Sequence, residues 1–167
     1  MPIQDKLRKC FKEGDKGERH KGLRRIEIKK EKINGHLNKA KHNYTAITTF
    51  HNTGFSDWSA SASFYCLYHA LLALLAKYGF ESRNQSCTFA FIEDLVEKRK
   101  ITLTKEELKE IYDSEVREDL EHSDKILDIR EIMQYSIMTA IENKEYQFLL
   151  DKTKRLFDKI RMEIEKE

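Results

Sequence analysis

The sequence predicts an all-α fold, an up-and-down bundle of four to five helices. Three observations carry this. Proline occurs once, at Pro2, while Glu, Lys and Leu dominate, so good helix formers run almost without a breaker. Apolar residues recur at spacings of three and four in one segment after another, and no sustained period-two alternation marks a strand. The chain of 167 residues is also long enough to bury one apolar core without covalent staples.

The first long helix is expected over about residues 26–50, where Ile33, Leu37, Ala40, Tyr44 and Ile47 fall on one face. Asn52, Thr53 and Gly54 close it, and Ser56 is placed to cap the next helix. That second helix carries Trp58, Ala62, Tyr65, His69, Leu72 and Ala76, with Phe64, Leu67, Tyr68, Leu71, Leu74 and Leu75 on its other faces. A helix apolar nearly all round belongs in the middle of a bundle, and the small residues 59–63 let a neighbour approach closely. Gly79 ends it. A shorter helix follows near residues 84–98, with Phe89, Ile92 and Leu95 or Val96 inward. Thr104 and Glu107 have capping-box spacing and open a helix through Leu108, Ile111 and Tyr112. Ile126, Ile129, Met133 and Ile137 mark another helical run. The last helix, about 144–164, holds Tyr146, Leu149, Leu150, Leu156, Phe157, Ile160 and Ile164 as one stripe.

Charge is nearly balanced overall, with Lys+Arg 31 against Asp+Glu 29, so no global field marks a nucleic-acid binder. Its distribution is uneven. Residues 1–25 carry nine basic and four acidic side chains and three of the six glycines, which reads as a basic, flexible arm ahead of a body at 26–167. No unbroken apolar run is long enough to span a bilayer, and no signal-peptide core opens the chain, so a cytoplasmic protein without membrane contact is expected. Cys10, Cys66 and Cys87 are odd in number and far apart, which argues for reduced thiols. His36 and His42, six residues apart, do not share a helix face. His69 has Cys66 three residues before it, but no further ligands are evident, so no metal site is expected and His69 reads as a hydrogen-bonded core residue.

Two segments resemble a known family. Residues 61–80 place an aromatic pair (Phe64, Tyr65), a Tyr68-His69-Ala70 step, an Ala/Leu run and Gly79 in the order seen in the second helix of small prokaryotic HEPN proteins. Ile129-Arg130-Glu131-Ile132-Met133-Gln134-Tyr135, followed by the amphipathic last helix, resembles that family's closing arginine motif. Together these cover roughly 26–167. The resemblance implies a HEPN-like bundle that often forms a homodimer and is frequently encoded beside a minimal nucleotidyltransferase in toxin–antitoxin pairs. It also implies, for many members, a metal-independent ribonuclease built on an Arg-x4-6-His motif and needing no cofactor. An arginine fork can hold the scissile phosphate, and a histidine titrating near neutrality can move the proton of the attacking 2′-hydroxyl.

The chain departs from that pattern where the chemistry sits. Five residues after Arg130 stands Tyr135 rather than His. A tyrosine of ordinary pKa near 10 is ionised about once in a thousand at pH 7, a poor general base. A literal Arg-x4-His pair occurs at Arg117 and His122, among acids that repel phosphate. Arg83 and Asn84 follow the Gly79 turn, where relatives carry a polar loop suited to phosphate. The candidate catalytic residues are therefore Arg130, Tyr135, Arg117 and His122, and the candidate nucleotide- or RNA-binding residues Arg130, Arg83 and Asn84. Two readings stay open: a nucleotide-, RNA- or partner-binding module with a departed catalytic motif, or a metal-independent endoribonuclease toxin. The plain alternative for Arg130 is an ion pair with Glu131, Asp128 or an acid on the last helix.

Overall fold

The computed structural model of the chain describes residues 1–112 and 126–167. Its helices are α1 (Ile3–Gly14), α2 (Lys30–Asn52), α3 (Ser56–Lys77), α4 (Gln85–Glu97), α5 (Lys105–Ile111), α6 (Ile126–Tyr135) and α7 (Asn143–Glu165). Two short strands, β1 (Leu23–Arg25) and β2 (Phe80–Ser82), pair antiparallel, with Leu23 opposite Ser82, Arg24 opposite Glu81 and Arg25 opposite Phe80. The fold is all-α around this one small ribbon.

The organising element is α3, which packs on α2, α4, α6 and α7. Phe64, Leu67, Leu71, Leu74 and Leu75 are fully buried along it. By length and composition alone α3 is apolar enough to cross a bilayer, with mean hydropathy 1.4 over its most apolar window, yet 72% of that window is buried inside the bundle. It is a core helix. Its small residues bring the neighbours close and keep their own hydroxyls satisfied: Ser59 Oγ donates to the Ile47 carbonyl of α2 at 2.8 Å, and Ser63 Oγ lies 2.5 Å from Thr153 Oγ1 of α7. A buried hydroxyl without such a partner would cost about 1–3 kcal/mol.

Several helix ends follow the sequence, but α2 begins at Lys30 rather than near residue 26, and α6 stops at Tyr135, leaving Ile137 outside it and fully exposed. Gly79, at φ 79°, terminates α3, and the Thr104–Glu107 capping box opens α5. Ser56 does not cap α3, whose N-cap is Phe55; instead Ser56 Oγ accepts the Ile141 N–H at 2.9 Å, tying the segment before α7 to the start of α3.

Residues 1–25 are not the flexible arm their composition suggests. Residues 3–14 are helical and pack against α4 and β1, with Leu7 and Cys10 buried. Glycine serves close approach here: a Cβ on Gly14 would stand 1.7 Å from the Leu23 carbonyl oxygen, and one on Gly22 would stand 2.2 Å from that of Cys10. The expectation of reduced thiols is corrected as well. Cys10 and Cys87 are joined by a disulfide linking α1 to α4, and only Cys66 is free. Their separation of 77 residues hid the pairing.

Candidate functional site

Helix α6 turns Ile126, Ile129 and Met133 into the core, which sets Arg130 at the edge of that stripe with its stem half-buried. The guanidinium carbon lies over the Phe64 ring, 4.3 Å from the centroid, and 5.8 Å from that of Tyr65. Its Nε is buried without a hydrogen-bond partner, and Arg130 makes no ion pair among the described residues. Glu131 and the acids of the last helix do not pair with it, while the side chain of Asp128, the other expected partner, lies outside the described residues. The cation thus lies over the Phe64 face with Tyr65 beside it, which holds the fork in place while leaving its outer donors unspent.

That fork lines an open groove of about 550 Å³ between the N-terminal half of α3 and the C-terminal half of α6. Asp57, Trp58, Ser61 and Tyr65 form one side, and Met133 with the turn at 136–139 the other. Trp58 is 57% exposed and Ile137 fully exposed. The turn is held by the Ser136 N–H donating to the Ile132 carbonyl at 2.9 Å and by the Ile141 bond to Ser56. A cation flanked by exposed aromatic faces can hold an anionic group that carries a flat ring beside it.

Of the other sequence candidates that the structure describes, Tyr135, Arg83 and Asn84, none joins Arg130 in this groove. Tyr135 ends α6 at 81% exposure and is absent from the lining. Five residues correspond to about 140° of helix rotation, so the phenol leaves from a different face than the guanidinium. Arg117 and His122 lie outside the described residues. Arg83 is exposed beyond the far end of α3, and only its backbone is engaged, the N–H donating to the Gly22 carbonyl at 3.2 Å. Asn84 is spent as the N-cap of α4, its side-chain oxygen accepting from the Cys87 N–H at 3.0 Å. It borders a separate cavity beside the disulfide with Lys6, Lys9 and Lys21. Sequence reasoning missed Trp58 as a groove residue; its spacing of seven from Tyr65 puts both on one helix face and was the available signal.

His69 meets a partner not foreseen from the sequence. Its Nδ1 lies 3.2 Å from Nδ1 of His36 on α2, with the ring centroids 5.4 Å apart. Burial foremost, then the nearby His69 and Lys32, hold His36 down at about 4, and burial with Lys39 lowers His69. Both shifts favour the neutral ring.

A family model described as HEPN domain matches residues 33–163. No curated protein matches the chain. The matched span starts within α2 and ends within α7, so it contains α3, α6 and the whole groove, while α1 and β1 precede it.

Proposed function

The chain belongs to the HEPN domain family, and from that premise we propose that it is a nucleotide- or RNA-binding module of a nucleotidyltransferase–HEPN system of the toxin–antitoxin type, with Arg130 as its phosphate contact. The observation that carries the reading is the Arg130 fork held over Phe64 beside Tyr65, with no described acid paired to it, at the wall of an open aromatic groove. Phosphate takes the free N–H donors in a charge-assisted pair, and Trp58 and Tyr65 offer faces for a base. Asp57 supplies the acceptor that an amino or ribose hydroxyl group requires.

Binding rather than cleavage is favoured by Tyr135. Its phenol stands in solvent away from the fork, so a phosphate on Arg130 has no proton-transfer group from this motif beside it. The test is fluorescence anisotropy with a labelled single-stranded RNA and with ATP, run beside incubation of the protein with total RNA with and without a chelator. Saturable binding that Arg130→Ala weakens about tenfold or more, without cleavage, supports the module. Chelator-resistant cleavage would instead establish the ribonuclease, and absence of both binding and cleavage overturns both. The partner half of the proposal is tested by reading the neighbouring open reading frame: a small nucleotidyltransferase there that co-purifies with this chain on co-expression supports it, and its absence counts against it.

A further inference from the structure

His36 and His69 are brought together from two antiparallel helices that pack along their length, one near the start of α2 and the other two turns before the end of α3. The two Nδ1 atoms face each other at 3.2 Å. Two imidazole nitrogens bound at ordinary length to one tetrahedral ion stand about 3.3–3.4 Å apart. Both side chains are half-buried, so solvent reaches the pair while helix packing fixes it.

We propose that His36 and His69 form a binding site for one divalent transition-metal ion, with zinc as the representative, bridging α2 and α3. Neutral imidazole is the ligand that zinc, copper and nickel share. As free rings the two share one N–H···N bond. On binding, that proton moves to Nε2, both Nδ1 lone pairs turn to the ion, and no net proton is released. No third His, Cys, Asp or Glu converges on the pair among the described residues. The remaining positions therefore belong to water or a small anion. The charges of Lys39 and Lys32 act on the two rings, which opposes a bare cation and favours an anionic oxygen as co-ligand. The site is independent of the Arg130 groove and does not rest on the RNA reading.

The test is isothermal titration of the untagged full chain with zinc sulfate at neutral pH, with magnesium as control. One zinc per chain is expected. His36→Ala and His69→Ala should each weaken it at least tenfold, His42→Ala and Arg130→Ala should leave it unchanged, and Lys39→Glu should strengthen it. Should an alanine variant fail to fold, the unaltered chain decides: zinc must shift the imidazole NMR signals of His36 and His69 and not those of His42. No saturable uptake, uptake that survives loss of either histidine, or unshifted signals overturns the site and leaves a simple histidine–histidine hydrogen bond.

Discussion

Arg130 shows how an arginine can be oriented without a counter-charge. Its plane rests on Phe64 at 4.3 Å, and the positions around it, Ile129 and Met133, are buried. A cation over an aromatic face contributes about 0.5–2 kcal/mol, so Arg130→Ala should lower the melting temperature only slightly while weakening RNA or nucleotide binding about tenfold or more. Arg130→Lys should restore part of the binding at most, because an ammonium keeps the charge and loses the stacked fork. If the alanine variant unfolds, or binds as well as the parent, the assignment fails. Cys66 gives a second prediction at this scale. Burial pushes its thiol up to about 12, and the thiolate is the form that reacts. A thiol-alkylating reagent should leave it untouched in the native protein and label it on unfolding.

At the scale of elements, what was legible followed from local chemistry. The apolar periodicity located α2, α3, α4 and α7 within a few residues, and the Thr104–Glu107 pair marked α5, because each signal lies within one helix. The N-terminal elements were misread for the opposite reason. Gly14 and Gly22 are small to admit backbone from the other end of the N-terminal turn, Leu23 and Cys10 respectively, and Cys10 finds Cys87 across 77 residues; neither partner lies within one helix's own periodicity. Loop-closure arguments put the contribution of such a cross-link at about 4 kcal/mol, with measured values commonly about 2–4. Cys10→Ser should therefore lower the urea midpoint markedly and make residues 1–25 exchange amide protons faster, while α3 stays protected. Unchanged midpoint and exchange would show that α1 is held by packing alone.

The ribbon adds a pH dependence. Burial by itself raises the Glu81 carboxyl, but hydrogen bonds from Lys32, Arg24 and His20 outweigh it and hold the group at about 2. Arg24 Nε donates at 2.9 Å and its NH2 at 2.6 Å. The folded state thus keeps Glu81 ionised below the pH at which an unfolded chain protonates it. Its stabilisation is complete above about 4.5 and is lost as pH falls toward about 2. Urea midpoints measured across that window should fall for the parent and fall less steeply for Glu81→Gln. Parallel curves would remove Glu81 from the account.

For the whole molecule, the sequence conveyed the class of fold and the position of Arg130, while the groove itself depended on how α3 and α6 cross and on the turn that Ile141 anchors to Ser56. No periodicity within one helix reports that crossing. The groove opens onto exposed apolar side chains, with Trp58 57%, Ile137 100% and Met138 46% accessible. Single exposed apolar residues are ordinary, whereas three gathered at one cavity are the kind of group that interaction sites present. The homodimer implied by the family resemblance is a proposal, and this rim is the face proposed for it. Sedimentation at tens of micromolar should give twice the 19.9 kDa of one chain. Trp58→Asp combined with Ile137→Asp should shift it to the single-chain mass without loss of helicity, because both side chains are exposed in the monomer and a charge there costs folding little. A mass of one chain for the parent protein at that concentration would refute the dimer. The parent's Arg130 dependence of binding would then belong to a groove that works within a single copy.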